Sequence, residues 1–221
     1  MLARVLEPEV MDSPQEAIDY DSMDHSTVNR VFVDDLLAAC RARDTEPGGP
    51  ILDLGTGTAQ IPIELVRRDP RCSVTAVDLA QHMLDLAQKN VAGAGLSAQI
   101  RLERIDAKAL PYASNSFAAV MSNSIVHHIP EPLSVLTEAS RVLRPGGVLF
   151  VRDLLRPADD ATVRHLVATY AAGANEHQRQ LFDASLRAAL SLDEIRRIVE
   201  RLGYRPDHVQ QTSDRHWTWT E

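Results

Sequence analysis

The pattern of apolar and polar residues along this chain changes repeatedly between the period of a helix and that of a buried strand. An apolar run without alternation, typical of a strand covered on both faces, occurs in ILDLG, and further extended patterns occur in CSVTAVD, QIRLERID, FAAVMSN and GVLFVRD. Helical patterns occur in IPIELVRR, QHMLDLAQKNVAGAG and LSVLTEASRVL. This order predicts an α/β fold with a parallel sheet and crossover helices.

The segments on either side complete the predicted architecture. STVNRVFVDDLLAACRARD predicts a leading helix with one apolar face, made of Val28, Val31, Phe32 and Leu36. SLDE matches a capping box before the helical pattern IRRIVERLG, and HVQQT and HWTWT predict two final strands, in which Trp217 and Trp219 pack into the sheet. We predict one domain, 1–221, with an N-terminal helical cover (1–45), a core (50–155) and an insertion of one or two helices (157–190).

Composition and charge narrow the class of protein. No apolar run reaches the ~20 residues of a membrane helix, and acids and prolines stand where a signal peptide would be apolar. We therefore expect a cytoplasmic protein without a membrane partner. The net charge of -8 argues against non-specific nucleic-acid binding. Cys40 and Cys72 match no metal or redox spacing, so we expect buried thiols without a disulfide.

A glycine-containing turn, DLGTGTA, lies between the first core strand and the following helix. A dinucleotide-binding turn would require glycine at position 60, which is Gln60, and Asp53 would face a pyrophosphate of like charge. S-adenosylmethionine (SAM) carries an ammonium and a sulfonium, so the same carboxylate would attract it. We therefore predict that Asp53, Gly55, Thr56 and Gly57 bind SAM.

Two further acids follow the next strands. Asp78, 21 positions after Gly57, is expected to accept hydrogen bonds from both ribose hydroxyls. Asp106 is expected to accept one from the adenine amino group, to which Ala107 offers its N–H. The alternative for each acid is a solvated or capping residue at a strand end.

Together these segments resemble the class I SAM-dependent methyltransferases, of the methyltransferase-11 type, from about residue 51 to 153. The resemblance rests on LDLGTGTA, VTAVDLAQHML, DAKALPYASNSFAAVMSN and RVLRPGGVLFVRD. It implies a Rossmann-like, mainly parallel seven-stranded sheet whose last strand is antiparallel, with SAM as donor and S-adenosylhomocysteine (SAH) as product. It also adds Leu79, Met83, Asn123 and Ser124 to the cofactor-binding residues.

Before the leading helix, the segment YDSM resembles an element of the ubiquinone and menaquinone biosynthesis methyltransferases, which adds Tyr20 to the cofactor-binding residues. The chain departs from that group in SNSIVHHIPEP, where an arginine-asparagine pair is missing. This departure argues against a quinone substrate. Ala59 replaces the third glycine of the turn, and we expect binding to tolerate its small methyl group.

The acceptor is expected at the carboxyl ends of the strands, where open parallel sheets bind ligands. His127 and His128 are candidate general bases, and packing beneath the loop is the alternative. Arg152 and Arg156 are candidates for binding an anionic group of the acceptor, and pairing with a nearby acid is the alternative.

The remaining candidates for substrate binding are Asp24, His25 and His128. A metal site built from His25, His127 and His128 has no supporting ligand spacing, so we expect no metal. The expected reaction is an in-line transfer of the SAM methyl group to a small metabolite by a monomer or homodimer. Methylation of protein or RNA and a catalytically silent SAM-binding or assembly partner remain alternatives.

Overall fold

The computed structural model describes residues 2–10, 12–43 and 49–221. Within these residues seven strands form one sheet: β1 (Pro50–Leu54), β2 (Ser73–Asp78), β3 (Ile100–Arg104), β4 (Phe117–Asn123), β5 (Leu143–Leu154), β6 (Val209–Gln211) and β7 (His216–Thr220). The α-helices of the same residues are α1 (Pro14–Ser22), α2 (Ser26–Ala42), α3 (Gln60–Arg68), α4 (Gln81–Gly93), α5 (Pro132–Val142), α6 (Asp160–Tyr170), α7 (Glu176–Ala188) and α8 (Leu192–Arg201).

The sheet has the order β3-β2-β1-β4-β5-β7-β6. Strands β1 to β5 pair in parallel, and β7 runs antiparallel to both β5 and β6. This confirms the predicted fold class with its antiparallel last strand. β1 lies between β2 and β4, so the strand order reverses beside β1, and ligands of open α/β sheets bind at such a reversal.

Two apolar clusters cover the two faces of the sheet. Residues of α2, α3 and α4 form one cluster, in which Cys40 and Cys72 are buried thiols. Residues of α5 and α8 form the other, which includes the fully buried Trp217 and Trp219. Because both faces are covered, the central strands β1 and β4 are buried almost along their whole length, as the unbroken apolar run of β1 predicted for that strand.

The leading helix is confirmed, but its buried face differs from the predicted one. Val31 is 48% exposed, and Val33 is fully buried instead. Phe32 packs edge-on against Phe150 of β5, with 5.0 Å between the ring centroids, and this contact sets the rotation of α2. α2 is therefore a helix of the core, and the cover at the carboxyl edge of the sheet is formed by residues before it.

The N-terminal residues 2–10 run without regular structure from the α7 region to the loop after β4. The Arg4 guanidinium donates hydrogen bonds to the carbonyl oxygens of His127 (3.0 Å), Ile129 (3.0 Å) and Ala188 (2.7 Å). After this segment, the short helix α1 begins with a complete capping box formed by Ser13 and Glu16. Among the described residues, no helix is both long and apolar enough to cross a membrane.

The region after β5 holds two helices, α6 and α7, which pack on each other around a small apolar cluster. α8 begins with the predicted capping box between Ser191 and Glu194. It ends at Arg201, and Gly203, two residues later, has a positive φ of 86°. A left-handed residue just after a helix is most often glycine.

Candidate active site

A cleft lies at the carboxyl ends of β1, β2, β3 and β4. Ten of the twelve predicted cofactor-binding residues line the cleft: Tyr20, Gly55, Gly57, Asp78, Leu79, Met83, Asp106, Ala107, Asn123 and Ser124. Asp53 and Thr56 are buried and do not line the cleft. The residues that sequence reasoning missed include Glu9, Val10, Lys108, Ile125 and Ile129.

The glycine turn leaves no room for a side chain at Gly55, and both of its glycines have a positive φ. Gly55 has a φ of 70°, and a Cβ atom there would lie 1.8 Å from Cγ2 of Ile125. Gly57 has a φ of 54°, and its Cβ would lie 3.4 Å from Cε1 of Tyr20. Both conformations favour glycine. The turn therefore exposes its backbone to the cleft. Ala59 also has a positive φ, 63°, and its methyl group is fully buried beneath the turn.

Asp78 connects the turn to the floor of the cleft. Its Oδ2 accepts a hydrogen bond from Gly57 N at 2.8 Å, and its Oδ1 accepts one from Ala80 N at 2.9 Å. Each carboxylate oxygen accepts about two hydrogen bonds. Asp78 therefore keeps acceptor capacity for two hydroxyl groups in the cleft, as the prediction for the ribose requires.

Asp53 is buried at the end of β1, with 3% of its surface exposed. Burial raises the pKa of Asp53 to about 7. The adjacent Thr56 hydroxyl opposes this shift, and the Asp78 carboxylate adds to it. Burial also raises the pKa of Asp78. The raised pKa values mean that the two carboxyl groups do not ionise easily in the free protein. A cationic ligand beside them would lower both pKa values.

Asp106 lies on the opposite wall with Ala107. Its Oδ1 accepts hydrogen bonds from the backbone N–H of Lys108 at 2.9 Å and pairs with the Lys108 ammonium at 3.0 Å. The same ammonium contacts Glu9, so the N-terminal segment forms part of this wall. Asn123 closes the cleft at β4, and its buried Oδ1 has no hydrogen-bond partner among the described residues.

The two candidate general bases occupy different places. His127 is 3% exposed, and its Nδ1 lies 2.5 Å from Oδ1 of Asp153, outside the cleft lining. His128 lines the cleft, but burial and the neighbouring His127 lower the pKa of His128 to about 3. An imidazole with so low a pKa is a weak base near neutral pH. The geometry therefore favours the packing role for His127 and weakens the case for His128 as a base.

Arg152 does not reach the cleft. Its Nη2 lies 2.6 Å from Oδ2 of Asp35, and its Nε donates to Oγ1 of Thr218 at 2.9 Å. The guanidinium also lies over the rings of Phe32 and Phe150, 5.7 and 5.4 Å from their centroids. The guanidinium nitrogens Nε and Nη2 already have hydrogen-bond partners, and the plane of the group packs on two aromatic rings. Arg152 is therefore not a substrate-binding residue in this structure.

His128 is the one candidate for substrate binding that lines the cleft, whereas Arg156, Asp24 and His25 lie outside its lining. The buried Arg156 pairs with Glu194 at 2.8 Å, so it is not a substrate-binding residue either. Asp24 is exposed, and its Oδ1 accepts a hydrogen bond at 2.9 Å from the backbone N–H of Ser26, the first residue of α2. His25 packs its ring against Tyr20 at 5.0 Å between centroids, and so adjoins the cleft through that ring.

Known proteins are similar to this chain in sequence. Residues 52–151 match a family described as a methyltransferase domain. A malonyl-[acyl-carrier protein] O-methyltransferase of Geobacter sulfurreducens is 31% identical over 87% of this chain and 68% of its own length. A ubiquinone/menaquinone biosynthesis C-methyltransferase of Desulfotalea psychrophila is 40% identical over 53% of this chain and 46% of its own length.

Solved structures show the same fold. A SAM-dependent methyltransferase from Aquifex aeolicus superposes with a TM-score of 0.68 at 19% identity, covering 94% of this chain and 97% of that one. The fold and the cleft at its strand reversal define a class of Rossmann-like methyltransferase domains. This chain belongs to the class I SAM-dependent methyltransferases. It spans about half of the length of the first curated relatives that it matches.

Proposed function

We propose that this protein binds SAM in the cleft and transfers its methyl group to a small-molecule acceptor. The observation that carries the proposal is the pair Asp53 and Asp78, two carboxyl groups with raised pKa values at a glycine turn. A ligand with an ammonium and a sulfonium compensates both charges, whereas a pyrophosphate would add to their repulsion.

The lining of the cleft supports a specific orientation of SAM. The ribose is proposed to bind at Asp78, and the adenine between Asp106 and the apolar side chains of Leu79 and Met83. The methionine part is then directed towards the glycine turn and Tyr20. The relatives include a malonyl-[acyl-carrier protein] O-methyltransferase and a ubiquinone/menaquinone biosynthesis C-methyltransferase. The second supports a small acceptor, and the two together leave the methylated atom open.

SAM supplies the activated methyl group, and the proposed contribution of the protein is orientation and exclusion of water. Positioning of two reactants can lower a barrier by roughly 7–11 kcal/mol. The low pKa of His128 supports a reaction without a side-chain base, so an acceptor that is nucleophilic by itself or deprotonated in solution fits this cleft best.

Calorimetry tests the binding step. SAM and SAH are expected to bind, and NAD is expected not to. Asp78→Asn keeps the shape of the side chain and one acceptor oxygen, and it should weaken SAM binding by about 1–3 kcal/mol, roughly 5- to 150-fold. Asp193→Asn, an exposed carboxylate on α8, is the matched control and should bind like the wild type. Equal binding of NAD and SAM would refute the assignment.

Turnover is tested separately with labelled SAM and fractions of small metabolites, protein and RNA. Label in the metabolite fraction supports the proposal, and the product is identified by mass spectrometry. Label only in protein or RNA would replace the acceptor class. SAM binding without label in any fraction would favour a catalytically silent SAM-binding domain.

A further inference from the structure

Three potential metal ligands meet beside the cleft, where the N-terminal segment crosses the loop after β4. Oε1 of Glu7 lies 3.4 Å from Nε2 of His127 and 3.2 Å from Nδ1 of His128. The three ligand atoms all lie within 4.8 Å of one another. The side chains are 8%, 3% and 16% exposed, so water screens them poorly.

The hydrogen bonds around the two imidazoles fix which nitrogen faces this point. Asp153 accepts a hydrogen bond from Nδ1–H of His127, so Nε2 is the nitrogen of that ring that faces Glu7. His128 is hydrogen-bonded to the backbone carbonyl of Pro8, and its Nδ1 faces Glu7. Two imidazole nitrogens and a carboxylate oxygen thus converge.

This convergence is unfavourable unless a positive charge lies between the three atoms. Oε1 of Glu7 and Nδ1 of His128 are both buried without a hydrogen-bond partner among the described residues. A buried polar atom that stays unsatisfied destabilises the fold. A proton can bridge only two of the three atoms, whereas a metal ion can contact all three.

The spacing also suits a small tetrahedral ion. Zn²⁺ binds nitrogen and carboxylate oxygen at about 2.0–2.2 Å, which places neighbouring ligands about 3.3–3.6 Å apart. The two distances from Glu7, 3.2 and 3.4 Å, are close to this value. Two imidazoles and one carboxylate favour ions such as Zn²⁺ or Fe²⁺, whereas Mg²⁺ and Ca²⁺ favour oxygen ligands alone.

We propose that Glu7, His127 and His128 form a binding site for a divalent transition-metal ion. Asp153 orients His127, as a carboxylate commonly does behind a metal-binding histidine. Oγ of Ser185 donates to Oε2 of Glu7 at 3.2 Å and holds the carboxylate in place. The proposal goes beyond the methyl transfer proposed above, because the SAM-binding residues do not include these three ligands. It also revises the expectation that the protein binds no metal.

The site was not visible in the sequence for a geometric reason. Its two histidines are adjacent, and adjacent residues of a regular helix point in different directions. Here they lie in a short 3-10 turn with their rings stacked 4.2 Å apart, which brings Nε2 of one near Nδ1 of the other. Glu7 comes from a segment 120 residues earlier in the chain.

The test uses the full chain without an affinity tag, stripped of metal by a chelator. Zn²⁺ is titrated in competition with a chromophoric chelator, and Co²⁺ absorption reports the ligand geometry. One Zn²⁺ per chain is expected. Glu7→Gln should weaken Zn²⁺ binding by at least about tenfold, and Asp153→Asn by about 10- to 100-fold. His165→Ala removes an exposed histidine on α6 and should leave binding unchanged.

Thermal melting separates loss of the site from loss of folding. Zn²⁺ should raise the melting temperature of the wild type and of His165→Ala by the same amount, and raise that of folded Glu7→Gln by less at the same Zn²⁺ concentration. Mg²⁺ at the same concentration should have no effect. Less than one Zn²⁺ per chain in the wild type, or equal affinity in Glu7→Gln, would overturn the proposal. No readout requires SAM or an acceptor, so failure of the proposed activity would not affect this test.

Discussion

Lowering the pH is expected to weaken SAM binding through Asp53. Burial raises the pKa of this carboxyl to about 7 in the free protein, above the ordinary value near 3.9. Its ionised form attracts the ligand, and protonation removes that attraction. With a pKa of about 7, the ionised fraction falls from about one half at pH 7 to about one hundredth at pH 5, so the apparent affinity should fall about 50-fold.

The ligand does not contribute to this decrease. An α-amino group has a pKa of about 7.7–8.0, so the SAM ammonium stays protonated throughout the range. Titration calorimetry at pH 5, 6 and 7 measures the affinity, and circular dichroism at each pH shows that the protein is folded. Binding at pH 7 should also release about half a proton for each SAM bound. Buffers with different ionisation enthalpies reveal that release.

Asp53→Asn isolates the contribution of this residue. Its SAM affinity should be weak at pH 7 and should change far less between pH 7 and pH 5, with any remaining slope due to Asp78. Asp193→Asn should keep the full wild-type slope. An affinity that is flat in the wild type, or equally steep in Asp53→Asn, would refute the role of the buried carboxyl in ligand binding.

Further predictions follow from the packing around the cleft. Arg152→Ala should destabilise the fold by about 2–3 kcal/mol, seen as a lower melting temperature, with SAM affinity and acceptor kinetics unchanged, and an unchanged melting temperature would contradict its structural role. Gly55→Ala should cost about 2–5 kcal/mol in stability by collision with Ile125, whereas Gly93→Ala, which faces open space in α4, should be tolerated. Amide hydrogen exchange in α1 should slow when SAM or SAH binds, and equal exchange with and without ligand would remove α1 from the cover.

The sheet and much of the cleft could be predicted because their determinants are local. The extended patterns of the buried strands and the glycines of the turn are read directly from the sequence, and Asp78 follows at a spacing set by one helix and one strand. Helix α1 was missed although it carries the same capping pattern as α8: Ser13 and Glu16 are spaced like Ser191 and Glu194. α1 has only nine residues and little apolar periodicity, so the capping box is the main signal for it in the sequence.

The errors concern residues whose surroundings come from distant segments. Val31 and Val33 flank Phe32 symmetrically in the sequence, and only contact with β5 decides which of them is buried. Arg152 lies near the end of β5, paired with the cleft-lining Asn123 of β4, but its partner Asp35 lies 117 residues away on α2. Position at a strand end therefore predicts nearness to the site, while the direction of a long side chain depends on tertiary partners.

The N-terminal segment joins the two proposed sites in one physical element. Glu7 faces the two histidines, while Glu9 and Val10, two and three residues later, line the SAM cleft. Three residues of extended chain span at most about 11 Å, so Glu9 and Val10 cannot move far while Glu7 is held. A metal ion that holds Glu7 in place therefore also holds part of the cleft wall in place. Because coupling between two binding sites is reciprocal, a ligand that binds this wall should strengthen metal binding at Glu7 in return.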